Sequence, residues 1–252
     1  MHGNDALTAL LWSFVLVLAR VSGVVALVPV PGWRKGPDAA RIACSLGLTA
    51  ALFPVWPAPP SVNPGIGEFA GWILSECFFG LVLGVGVGFV MEGFTLAMQV
   101  LGLQAGYAYA TTIDPSSDAD SSVLQVIAQL ASSLLFFSFR LDAELVRSLA
   151  ASFEKHPAGV WMGDWGQAKS LLALGADMWK TAFRLALPVL ALLVMLDVCL
   201  ALLGRVQAQL QLLTLAFPAK MLVTLVTLAA LAGTLPAVFR QQTEGVVFLW
   251  AK

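Results

Sequence analysis

From Glu76 onward, small and polar residues recur at helical spacing through an otherwise apolar run: Glu76, Gly80, Gly84, Gly88, Glu92, Thr95, Gln99, Gly102 and Gly106. Their mean step is about 3.75 residues, close to one α-helical turn and in the sense that favours a right-handed wrap. The pattern predicts a helix with a thin seam of small and polar side chains. Such a seam lets a second helix approach closely and bond across the contact. We read Gly80, Gly84, Gly88, Glu92, Gln99, Gly102 and Gly106 as a subunit-packing seam, with packing inside the chain as the alternative. No proline occurs between Pro64 and Pro115. A helix from Gly71 to Gly106 would run about 54 Å, against a hydrocarbon core of about 30 Å. It therefore projects beyond the lipid or bends where Gly84, Gly86 and Gly88 cluster.

The other apolar runs follow the same logic. Ala6 to Val28 predicts a retained first span, carrying Arg20 and ended by Pro29-Val-Pro31-Gly32. Ala39 to Trp56 is short and closes on Pro54, Pro57, Pro59 and Pro60. After Asp118, Asp120, Ser121 and Ser122, which suit a helix start, a helix begins near Val123. It is apolar to Phe139 and then amphipathic, with Leu141, Leu145, Leu149 and Phe153 on one side, until His156-Pro stops it. An amphipathic lead-in from Gln167 to Lys180 precedes the run Phe183 to Leu203. Polar Arg205 to Gln211 separates that run from Leu212 to Leu235, which holds Pro218 and Lys220. The fold class is all-α, with about six apolar helical segments, kinked hairpins and one module over residues 1–252.

Composition agrees with the pattern. The chain is 59% hydrophobic and 12% charged, where soluble domains carry about 25% charged residues. It reads as a polytopic membrane protein. A net charge of −1 leaves no footprint for nucleic acid. Cys44, Cys77 and Cys199 are isolated, and His2 and His156 have no ligand pattern beside them, so no metal or cofactor is expected. No Ser-His-Asp, Cys-His or phosphate-loop arrangement appears, and no enzyme is expected.

The charges raise a problem. Between Arg41 and Arg140 there is no Lys or Arg, against six acids: Glu68, Glu76, Glu92, Asp114, Asp118 and Asp120. The first loop is basic, with Arg34, Lys35 and Arg41, and the third is acidic, which conflicts with simple alternation of spans. Arg20, Glu76, Glu92 and Asp197 all lie in or beside apolar segments. Each would cost roughly 2.5–3.5 kcal/mol at a lipid-exposed helix centre, so they must face protein, water or the interface. Arg20, Glu76 and Asp197 are the candidate buried charges.

Several short stretches, in order and spacing, resemble the FliR family of flagellar export-gate proteins and its T-component counterpart in virulence-type secretion. They are Arg20 with Pro29 to Pro31, Gly102-Leu-Gln-Ala-Gly106, Ile113-Asp-Pro115, Leu135-Phe-Phe137, Ser152-Phe-Glu-Lys-His-Pro157, Arg205 to Gln211, and Phe217-Pro-Ala-Lys220. Where the family often has Arg-x-x-Pro-Gln-x-Asn, this chain has Ala208 and Gln211 in place of the proline and asparagine.

The resemblance implies a subunit of a helical multi-subunit export gate in the bacterial inner membrane, within the flagellar basal body. It implies FliP- and FliQ-type subunits as partners, docking of an FlhB-type protein, an FlhA-type component nearby, surrounding membrane lipid, and unfolded export substrates. It also implies that the loop after the long helix, about Gly106 to Ser122, helps plug the closed channel. Tyr107, Tyr109 and Ile113 would fill a constriction, with Asp114 fixing the bend and Pro115 stiffening it. Two other readings stand beside flagellar export. One is a virulence-type T component. The other is a secondary transporter using Glu76 and Asp197, against which the absence of inverted repeats counts.

Overall fold

A computed structural model describes residues 2–28, 37–61, 64–107, 123–159, 165–206 and 212–251. Among these residues the chain is helical, without strands. The helices are α1 (His2–Leu27), α2 (Asp38–Ala51), α3 (Ile66–Ala105), α4 (Val123–Ser138), α5 (Leu141–Lys155), α6 (Trp165–Val206), α7 (Leu212–Leu231) and α8 (Leu235–Ala251). Short 3-10 turns, Phe53–Val55 and Ala232–Thr234, follow α2 and α7.

The six apolar segments are helical among the described residues. Among the described residues, four stretches are long and apolar enough to cross a membrane: Ala6–Leu27, Ile66–Ala105, Lys169–Arg205 and Ala216–Thr243. Helices α4 and α5 add a fifth if that broken pair counts as one. The protein is a polytopic membrane protein. Helix α2 falls short at 14 residues, because the proline cluster leaves the chain no helical continuation. The single helix expected from Val123 to His156 is broken at Arg140, whose backbone adopts φ 54. The long third helix is one element of 40 residues, about 60 Å end to end.

Polarity within the helices is inverted relative to a soluble protein. On α2 the buried residues are Ser45 and Thr49, while Ile42 and Leu46 are exposed. Both hydroxyls donate one turn back, Ser45 to the Arg41 carbonyl at 2.8 Å and Thr49 to the Ser45 carbonyl at 2.7 Å. On α7, Thr224 is wholly buried while Leu222, Leu225 and Val226 point outward. Polar groups satisfied inside and leucines outside suit a hydrocarbon surrounding.

The chain divides into two compact units, each assembled from segments distant in sequence. One comprises residues 1–89, 136–175 and 243–252, the other residues 90–135 and 176–242. In the first unit, Leu16, Trp72 and Ala158 form a core that Phe69 and Ile73 complete. Trp12 packs on Phe69 with ring centroids 4.4 Å apart, and the Ser13 hydroxyl donates to the Pro57 carbonyl at 2.8 Å. In the second unit, Phe94 of α3 meets Phe239 of α8 at 5.4 Å. Leu101, Val189 and Leu193 are wholly buried there.

Candidate functional site

Two polar clusters stand out, one in each unit. In the first unit they begin from an unusually close helix pair. A Cβ added to Gly23 of α1 would lie 2.5 Å from the Cys77 carbonyl, and one on Gly80 of α3 would overlap the Arg20 carbonyl. A Cβ on Gly84 would meet the Val24 carbonyl at 2.9 Å. This backbone contact brings Arg20 and Glu76 together.

Arg20 and Glu76 are both wholly buried and joined by Nε and Oε2 at 2.6 Å. The guanidinium also donates from Nη1 to the Ser152 hydroxyl at 2.9 Å and from Nη2 to the His156 carbonyl at 3.0 Å. The second carboxylate oxygen of Glu76 accepts the Gly159 N–H at 2.9 Å. Rings of Phe79 and Phe153 lie 4.5 and 4.2 Å from the guanidinium carbon. A planar fork with fixed donors suits this site, where one ammonium could not reach all three acceptors. Backbone geometry completes it. Gly159 has φ 78, and a Cβ there would meet Pro60 at 2.9 Å and Trp72 at 3.0 Å. His156 adds no second cation: burial first, then the charges of Arg20 and Lys155, lowers its pKa, which keeps the imidazole neutral at pH 7.

The second cluster lies where α3 ends. The Tyr107 N–H donates to the Gly102 carbonyl at 2.9 Å and the Gly106 N–H to the Leu103 carbonyl at 3.3 Å. With Gly106 at φ 89, this is a Schellman stop. Gly106 is required twice over. A side chain would be strained at that φ, and its Cβ would lie 2.7 Å from the Phe217 ring. The Tyr107 hydroxyl donates to the Met221 carbonyl at 3.2 Å, and burial raises its pKa, so it stays protonated. Asp197 of α6 pairs with Lys220 of α7 at 2.5 Å and accepts from the Gln104 amide at 3.4 Å.

These placements revise several sequence expectations. Arg20 and Glu76 are buried and paired with each other within the chain. Asp197 is not buried: its side chain is 38% exposed and held by Lys220. In the seam, Gly80 and Gly84 are filled by α1 of the same chain, not left open for a partner, and a Cβ added to Gly88 would lie 3.7 Å from the Leu27 carbonyl. Gly102 is buried, Glu92 is half-buried and Gln99 is exposed, so the second half forms no continuous groove. Gly106 is a helix stop. Tyr109, Ile113, Asp114 and Pro115 lie outside the described residues, as do Ala208 and Gln211. Sequence reasoning missed Gly23, although Arg20, Gly23, Val24 and Leu27 form an i, i+3, i+4, i+7 stripe complementary to the seam. It also missed Lys220 as the mate of Asp197. The two residues lie at nearly equal distances from the centre of the polar segment 205–211, as opposed positions of a helical hairpin do.

The family described as bacterial export proteins, family 1, matches residues 11–246, a span that contains every residue of both clusters. The chain belongs to that family. This family member is 30% identical over 218 residues to the flagellar biosynthetic protein FliR of Escherichia coli K12, covering 85% of this chain and 82% of the relative. It is 26% identical over 226 residues to the protein of the same name from Pectobacterium carotovorum, covering 89% and 84%. Against the Bacillus subtilis FliR it is 25% identical over 232 residues, covering 90% and 89%.

Proposed function

We propose that the protein is a structural and gating subunit of the flagellar type III export channel, contributing pore wall and part of the plug. It would sit in the inner membrane within the basal body, beside FliP- and FliQ-type subunits, with FlhB- and FlhA-type components nearby and unfolded flagellar proteins as cargo. It carries out no chemistry of its own. Family membership supports an export role, and the relatives named for flagellar biosynthesis favour the flagellar reading over a virulence-type one.

The observation that carries the gating role is the capped stop of α3. The Gly106 turn, the Phe217 ring over it and the Tyr107–Met221 bond fix the point where the chain leaves the helix. A segment that blocks a passage needs such an anchorage, because a seal on a loose base leaks. The transporter reading is disfavoured by Glu76. Its carboxylate is wholly buried and both oxygens are engaged, by Arg20 and by the Gly159 N–H, which leaves no open route for proton exchange.

Deleting residues 111–117 in the assembled complex tests the plug. The expected result is a leak of small ions through membranes holding a complex of normal composition. A tight membrane with intact assembly would remove this segment from the seal.

A further inference from the structure

We propose that Asp197 and Lys220 are positioning residues for the seal: their ion pair holds the 217–221 segment of α7 where it can receive the end of α3. The consequence for sealing rests on the plug reading above. The position of the end of α3 does not.

Asp197 stands among Val194, Met195 and Val198, all exposed apolar residues, and Lys220 lies in an equally apolar run. A lone charge at either place is costly, and the opposite charge at the same height removes most of that cost. Packing alone would have been served by two leucines, which makes a further role for the pair worth seeking. Its surroundings supply one. Gln104, in the last turn of α3, donates to the same Asp197 carboxylate. Three residues before Lys220, the Phe217 ring lies over Gly106. One residue after it, Met221 offers its carbonyl to the Tyr107 hydroxyl. Both of these contacts between α7 and the end of α3 fall within one helical turn of Lys220. Pro218 lies inside this turn and has no N–H, which removes one rung of the helix ladder. The segment thus depends more on its tertiary contacts, and the Lys220 pair is the charged one among them.

The test uses the full chain assembled with its export partners in membranes. A photo-crosslinking phenylalanine analogue in place of Phe217 reads where the 217–221 segment meets the end of α3, and ion leak reads the seal. In the otherwise unaltered chain the probe should label residues 104–107. The doubly neutral variant Asp197→Asn with Lys220→Gln leaves no stranded charge, so it should assemble. It should lose most of that labelling and leak about tenfold faster, as a shift of one decade in a closed–open balance requires. The reversed pair, Asp197→Lys with Lys220→Asp, should restore both readouts, because the Gln104 amide can turn its oxygen toward the new ammonium. Tyr107→Phe, which loses one hydrogen bond, should leak about threefold faster even if the charge variants fail to assemble. Unchanged labelling in the neutral variant would overturn the proposal. So would a tight seal in that variant while the 111–117 deletion leaks, which leaves the plug reading standing. If the deletion is also tight, the plug reading fails, and the sealing part of this inference fails with it.

Discussion

Replacing Arg20 by methionine is expected to remove most of the folded protein from the membrane. The substitution strands Glu76, which is wholly buried, and takes the donors from the Ser152 hydroxyl and the His156 carbonyl. Breaking one side of a buried pair costs about 3–5 kcal/mol, a large share of the roughly 5–15 kcal/mol that holds a domain folded. Arg20→Lys should fall between parent and methionine, since one ammonium replaces a fork that serves three acceptors. The informative variant is the double change, Arg20→Met with Glu76→Gln. It buries no charge, and the new amide oxygen still accepts the Gly159 N–H, so it should recover about half the loss. Unfolding midpoints in detergent and membrane levels give the comparison. A fully stable Arg20→Met protein would show that the guanidinium is not enclosed as described.

The second large effect is at Gly80. Alanine there sets a methyl group against the Arg20 carbonyl, a backbone atom that cannot swing aside, so α1 and α3 must part. The expected loss is roughly 3 kcal/mol or more, at the upper end of overpacking costs. Separation would also pull Arg20 from Glu76, so the two losses are coupled and will not add. Gly47 of α2 is the control. It is helical and exposed, with nothing within 4 Å of an added Cβ, so Gly47→Ala should gain about 0.5–1 kcal/mol. Equal outcomes at the two positions would show that the contact between α1 and α3 is looser than this. The defect at Gly80 should already be present in the isolated chain, before any partner is met.

What the sequence made legible follows from which interactions are local. Helix α3 could be read almost to its ends, because its apolar run is uninterrupted and no proline enters it. The amphipathic face of α5 was equally readable, and Leu145, Leu149 and Phe153 are buried where the periodicity put them. The break between α4 and α5 was not. It falls on Arg140, with φ 54 and no glycine or proline to announce it. Arg20 and Glu76 were recognisable as charges in need of shelter, but their pairing spans 56 residues and depends on how α1 docks. The glycines misled because one residue type serves two ends. Gly80 and Gly84 admit a neighbouring helix, whereas Gly106 supplies the left-handed turn that stops one.

The most direct test of the account is an experimental structure of the assembled export complex in its closed state. The chain leaving Tyr107 should cross the lumen, with α3 ending at Gly106 under the Phe217 ring and Arg20 enclosed by residues of its own chain. A closed channel in which that segment lies on the outer surface, or in which a partner subunit supplies the carboxylate for Arg20, would contradict it.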